Sequence, residues 1–427
     1  MERPTGLDRM RQIYLGSVSG QKPEVPVDPV RLERAAQQVM SEEAFAYVAG
    51  GAGRERTMAA NREALESWRI RPRMLRDVSE RDTGVELFGR RLPWPFLLAP
   101  IGVLELAHPE ADLAVAAAAR QLGVPMIFSN QASRPMEACS QVLGDSPYWF
   151  QLYWSRSDDL VASLVERAEN IGCEAIVVTL DTTLLGWRPR DLDLAFLPFL
   201  RGQGIAQYTH DPVFLERVAK RIEGGPQGPK PKAGPAALGV LWNQARNFPG
   251  GFLGNLTSPT PRAAVQEFID VYSRPSLTWE DLPFLRQHTK LPILLKGILH
   301  PEDARRAVDE GIDGLVVSNH GGRQVDGAVG AGRALPSVVE AVDGQIPVLF
   351  DSGIRGGADV FKALALGATA ALLGRPYVYG LALAGARGVE EVLRNLAADF
   401  DVTMGLAGCR SVAEIDRQRI ERAGWDG

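Results

Sequence analysis

Cysteine is scarce in this chain, and charge of one sign never accumulates. The 427 residues hold three cysteines, Cys139, Cys173 and Cys409, far apart and in no metal-ligand spacing. That count excludes a disulfide framework and gives no reason to expect a metal; it suits small buried apolar groups in a reducing compartment. The formal charge is −5, with 47 basic and 52 acidic residues dispersed along the chain. Without a basic patch, nucleic acid is not expected as a partner. Long apolar runs are also missing. The most lipid-like stretch, ALALGATAALLG at 363–374, is bracketed by Lys362 and Arg375 and is too short to span a bilayer, so it belongs to a core. The start, MERPTGLDRMRQ, is charged and has no apolar signal region. A cytoplasmic location and no membrane partner are the expectation. No GxGxxG follows a candidate strand, so the dinucleotide fingerprint is missing too.

What is present is a repeated alternation. Eight short apolar runs, PFLLAP, PMIFS, YWFQL, AIVVTL, PILLKG, GLVVSN, PVLFDS and AALLGR, are separated by amphipathic stretches such as SDDLVASLVERAENIG and PEDARRAVDEG. Several of these open with Pro or Ser followed by acids, as helix N-termini do. Eight β-then-α units predict an α/β fold, a (β/α)8 TIM barrel over residues 91–427. Strand count alone does not prove closure, and an open doubly wound sheet would give the same count. Residues 1–90 read as an N-terminal helical lead-in. A long insertion after strand 4, residues 189–275, reads as a lid-like excursion over one end of the barrel, with a mobile centre at GGPQGPKPKAGP.

Active sites of such barrels lie at the C-terminal ends of the strands. Those ends here carry Pro100-Ile101-Gly102, Ser129, Gln151 with Tyr153, Thr179 with Asp181, Lys296, Ser318 with His320, Asp351 with Gly353 and Arg355, and Gly374-Arg375. Glycines and arginines after strands 7 and 8 suit a phosphate. The competing reading makes Arg355 and Arg375 solvated surface charges. Lys296 ends an apolar strand, where an ammonium needs an anionic or electron-rich partner, unless it reaches solvent at the rim. In VVSNHGGRQVD the two glycines let the chain turn sharply beside His320 and bring Arg323 to the same cavity. A lone histidine is more often structural, but Asp181 can orient its ring for acid–base work. Arg188, in GWRPRD, supplies a second guanidinium for one carboxylate.

Taken together, SNHGGRQ, LPILLKG, FQLYW, VVTLDTTLLGWRPRD and LFDSGIRGGADVFKALALGATAALLGRP resemble the FMN-dependent 2-hydroxy-acid oxidases and dehydrogenases over residues 44–426. Within that family the insertion is most similar to that of lactate 2-monooxygenase. The resemblance implies FMN at the barrel mouth. Pro100, Ile101 and Gly102 would lie along its ring, Ser129, Gln151 and Thr179 at its polar edge, and Lys296 at N1. Ser318 and Asp351 would meet the ribityl chain, and Gly353, Arg355, Gly374 and Arg375 the phosphate. Arg188 and Arg323 would clamp a substrate carboxylate with Tyr47, Tyr153 would bond the substrate hydroxyl, and His320 would be the base with Asp181 behind it. The implied reaction oxidises an L-2-hydroxy acid with O2, by the decarboxylating route or with release of peroxide, in a homo-oligomer of four or eight chains. A dehydrogenase with another acceptor and a flavin-binding sensor are the alternatives. Ile101-Gly102 stands where glycolate oxidases carry Thr-Ala. Gln131 stands where the family presents an apolar residue to the substrate side chain, which favours a longer or more polar acid than lactate.

Overall fold

A computed structural model of the chain describes residues 5–225 and 234–424. The centre of the expected mobile stretch, 226–233, lies outside the described residues, as do the first four residues of the chain and the last of the stretch that carries the family resemblance.

The eight apolar runs form the strands β1 (Phe96–Leu98), β2 (Met126–Phe128), β3 (Tyr148–Leu152), β4 (Ile176–Thr179), β5 (Ile293–Lys296), β6 (Gly314–Val317), β7 (Val348–Phe350) and β8 (Ala370–Leu373). All neighbours are parallel, and β8 pairs back onto β1, so the sheet is a closed (β/α)8 barrel and not an open one. Helices between the strands form the outer ring, ending in a long one over Arg375–Leu406 that breaks at Ala384 and Gly385.

Side chains alternate along every strand. One parity, Phe96, Leu98, Phe128, Phe150, Val178, Leu295, Val317, Phe350 and Leu373 among others, packs under the helices. The other, Leu97, Ile127, Trp149, Val177, Leu294, Val316, Leu349 and Leu372, fills the barrel as a separate apolar cluster. The N-terminal end of that cluster is plugged by an antiparallel hairpin, Val85–Leu87 with Arg90–Leu92. Phe88 and Gly89 form its two-residue turn with φ of 48° and 76°, the left-handed geometry that matches strand twist. The turn places the Phe88 ring 5.7 Å from Trp149.

The first 90 residues form helices at Gly6–Val18, Pro29–Val39, Glu42–Ala49 and Arg56–Glu66, and then a strand, Trp68–Ile70, that pairs antiparallel with Ile420–Arg422. The segment expected to be helical therefore also carries strands, one of which ties it to the C-terminal end of the fold. Residues 189–275 are mainly helical where described, from Pro189–Asp193 to Thr260–Val271. Tyr208 packs edge-on against Phe268 at 4.9 Å, and Phe199 lies 5.1 Å from the same ring. The Ala206 amide donates to the Ala132 carbonyl at 3.1 Å, which fastens this segment to the loop after β2.

Candidate active site

Barrel parity sets the floor of the site. Two residues beyond the last inward apolar side chain of each strand come Ala99, Ser129, Gln151, Thr179, Lys296, Ser318, Asp351 and Gly374. The same period of two that fills the barrel thus ends in a layer that is mostly polar, and all of it except Gly374 is buried.

Above this layer stands His320. Its Nδ1 lies 2.7 Å from Asp181 Oδ1 and 3.2 Å from Thr182 Oγ1, and the Thr182 hydroxyl donates to Asp181 at 2.9 Å. Burial pulls the imidazole below its ordinary value, and Asp181 only partly restores it. Burial alone would raise Asp181, but the facing His320 ring, the Lys296 ammonium and the Thr182 hydroxyl hold it below the usual carboxylate range. A neutral imidazole beside an ionised carboxylate is therefore the resting pair near neutral pH. The backbone at His320 is left-handed, φ 57°. Gly322 follows at φ 76°, where a Cβ would stand 2.7 Å from the Met58 backbone nitrogen, so only glycine fits.

Two guanidiniums face the same space. Arg323 lies over the Tyr47 ring with Cζ 5.0 Å from its centroid, and Arg188 lies 5.9 Å from it. Arg323 donates to the carbonyls of Tyr47 and Gly50, and Arg375 donates to those of Val48 and Gly50. Both therefore cap the C-terminal end of the helix Glu42–Ala49, where cations are favoured, and hold Tyr47 at the mouth. Arg188 is 3.7 Å from Asp191. Arg323 has no ion-pair partner among the described residues, and burial together with the Arg188 charge brings it down to about 9. Tyr153 is pushed well above the phenolic range by burial and remains a hydrogen-bond donor.

The other half of the cavity is organised around a buried ion pair. Lys296 Nζ lies 2.7 Å from Asp351 Oδ2 and donates to Ser318 Oγ at 2.8 Å. Burial alone would lower Lys296, but Asp351 and Asp181 outweigh it and keep the ammonium charged. Lys296 thus faces an acid and does not reach solvent at the rim. Arg355 and Arg375 both line the cavity, so neither is a plain surface charge. Gln151 Nε2 and Thr179 Oγ1 are buried with no hydrogen-bond partner among the described residues. Buried polar atoms are normally satisfied, so these two call for a ligand with donors and acceptors along one edge. Lys296 and Asp351 of the same layer line a cavity of about 1040 Å³, part of it continuous with solvent. The residues present fit FMN: polar atoms for a ring edge, a cation, an acid for hydroxyls, and glycines with two arginines for a phosphate.

One cavity brings together Tyr47, Pro100, Ile101, Gly102, Gln131, Tyr153, Arg188, Lys296, His320, Arg323, Asp351, Gly353, Arg355, Gly374 and Arg375. Asp181, Ser129, Gln151, Thr179 and Ser318 stand just behind that lining; Ser129 Oγ is 3.4 Å from Gln151 Oε1. Sequence reasoning gave no role to Thr182, Leu185, Phe199, Tyr272 and Ser352, which also line the cavity. Thr182 was readable from its place beside Asp181. Phe199 and Tyr272 arrive from the long insertion, and no period in the sequence links that segment to the mouth.

A family model for FMN-dependent dehydrogenases matches residues 36–422. An FMN-dependent alpha-hydroxy acid dehydrogenase of Penicillium citrinum is 41% identical over 95% of this chain and 93% of its own length. An L-lactate oxidase of Lysinibacillus sphaericus is 40% identical, with 94% of each chain covered. The crystal structure of a mandelate oxidase with (S)-4-hydroxymandelic acid superposes with a TM-score of 0.75 at 40% identity, covering 93% of this chain and 98% of that one.

Proposed function

The chain belongs to the FMN-dependent dehydrogenase family, and we propose that it oxidises an L-2-hydroxy acid to the 2-oxo acid with O2 as the electron acceptor. The observation that carries this reading is the half-buried Arg323 guanidinium, over the Tyr47 ring and with no ion-pair partner among the described residues, lining one cavity with the His320 ring that Asp181 orients. A cation facing a cavity without a counter-ion suits an anionic ligand, and a base next to it suits a ligand with a proton to remove.

In the proposed site Arg188 and Arg323 hold the substrate carboxylate and Tyr47 assists. Tyr153 donates to the oxygen that becomes the ketone. His320 Nδ1 is taken by Asp181, so Nε2 is the nitrogen that accepts the substrate proton, and Asp181 stabilises the imidazolium that forms. FMN, when bound, supplies the acceptor for the electron pair. Ser129, Gln151, Thr179 and Lys296 would hold its ring edge, with Pro100, Ile101 and Gly102 along the ring face. Ser318 and Asp351 would hold the ribityl chain, and Gly353, Arg355, Gly374 and Arg375 the phosphate.

The proposal extends to product fate. Phe199 and Tyr272 of the insertion line the cavity, which favours keeping the 2-oxo acid in place when O2 arrives and decarboxylating it, as lactate 2-monooxygenases do. For lactate plus O2 the products are acetate, carbon dioxide and water. A polar side chain on the substrate is favoured by Gln131, which lines the cavity and whose side-chain carboxamide has no hydrogen-bond partner among the described residues. We place the enzyme in the cytoplasm as a homo-oligomer; among the described residues no helix is long and apolar enough to cross a membrane. Aerobic turnover across a panel of L- and D-2-hydroxy acids tests the reading, with 2-oxo acid, peroxide and carbon dioxide assayed together. Carbon dioxide without free peroxide is expected. Stoichiometric peroxide without carbon dioxide makes the enzyme a plain oxidase, and no turnover of any 2-hydroxy acid removes the reading altogether.

A further inference from the structure

Ser352 follows Asp351 at the end of β7, is 7% exposed, and adopts φ 78°, a backbone conformation rare for a side chain other than glycine. Its hydroxyl donates to Asp351 Oδ1 at 2.7 Å. It also accepts the Gly321 amide at 3.0 Å and the Asn319 amide at 3.3 Å. One donor and two lone pairs are all that a serine hydroxyl has, so every bond it can make is spent on these three groups. Between the two amides lies His320, whose own amide donates to Ser318 Oγ at 3.0 Å. Ser318 Oγ in turn accepts from Lys296, and Lys296 pairs with Asp351. The backbone of the left-handed His320 is thus bonded on both sides to hydroxyls that are fastened to one buried ion pair. Asp181 fixes the ring, but it has no bond to this backbone.

The geometry points to Ser352 as a positioning residue for proton removal: its hydroxyl locks the His320 backbone to the Lys296–Asp351 pair and so sets where the imidazole stands. This inference rests on the reading of His320 as the base. The Ser352 hydroxyl bonds Asp351 and two backbone amides and none of Arg188, Arg323, Arg355 and Arg375, so its loss should slow the proton-transfer step far more than it weakens binding.

The test compares Ser352→Ala and Ser352→Gly with the wild-type holoenzyme. Both variants lack the hydroxyl, but only glycine relaxes the left-handed backbone. At saturating substrate, anaerobic flavin bleaching should slow by about tenfold or more in both, within the ~10²-fold that a 1 Å misplacement can cost. Affinity for the 2-oxo acid and retention of FMN should stay within about twofold. In the FMN-free protein, the amides of 319 and 321 should exchange faster with solvent than in the wild type. Wild-type bleaching rates in both variants would overturn the inference. So would a wild-type rate in Ser352→Gly alone, which would make the backbone and not the hydroxyl the cause, or an equal fall in 2-oxo-acid affinity. If no 2-hydroxy acid bleaches the wild-type flavin, it is the functional reading that fails, and this one fails with it.

Discussion

Replacing Asp181 by Asn isolates the contribution of the carboxylate behind the base. Asp181 Oδ1 is 2.7 Å from His320 Nδ1. With charge centres ~4 Å apart and an effective dielectric of ~20, a full imidazolium gains about 4 kcal/mol from that carboxylate. At 1.36 kcal/mol per tenfold, complete proton transfer in the transition state corresponds to a loss of ~10³ and half transfer to ~30-fold. Asp181→Asn should therefore slow anaerobic flavin bleaching by ~30- to 1000-fold, with substrate binding nearly intact because Arg188 and Arg323 are untouched. The pH profile carries a second signature. His320 must be neutral to accept a proton, so the rate falls as pH drops through its pKa, which already lies below the ordinary imidazole value. Asp181 is the contribution that raises it, so in the variant the acid limb should move to still lower pH. Stopped-flow reduction across pH reads both effects. A loss smaller than about tenfold would refute the pairing.

Arg323→Lys should raise the KM for the hydroxy acid by ~10- to 100-fold, since a point-charge ammonium cannot replace a fork of charge-assisted bonds, and unchanged KM would contradict the clamp. Gln131→Leu should shift kcat/KM from polar toward apolar 2-hydroxy acids, on the order of tenfold or more, and an unmoved preference would take Gln131 out of the substrate pocket. Leu87→Ala, at the plug of the barrel, should lower unfolding free energy by ~2–5 kcal/mol in denaturant titrations while leaving the reduction rate alone. Full stability in that variant would mean that the hairpin does not close the inner core.

The strands were legible because each is a short apolar run bounded by turn residues, and the barrel's parity then delivers the polar layer two residues on. That is why Gln151, Thr179, Lys296 and Asp351 could be named from sequence and are found in one layer. Closure was expected from the eight units and is found, although the count alone did not prove it, since it depends on β8 pairing with β1, a contact between distant segments. The plugging hairpin was missed because its turn is Phe88-Gly89, without the Asn or Asp that marks such turns. Ser352 escaped for a related reason: its importance lies in amides across the site, at Asn319 and Gly321, and nothing in DSGIR announces them. Arg323 was read as a carboxylate clamp and Arg375 as a phosphate ligand or a surface charge; that both also cap the helix carrying Tyr47 depends on contacts between distant segments.

The claim on which the rest depends is that His320 removes a proton from a carboxylate-clamped 2-hydroxy acid. Anaerobic mixing of the FMN-loaded protein with its best 2-hydroxy acid, wild type beside His320→Ala, measures it in a single turnover. The wild-type flavin should bleach. The variant should bind the acid with similar affinity and bleach ~10²- to 10⁴-fold more slowly. A variant that bleaches at the wild-type rate would contradict the account.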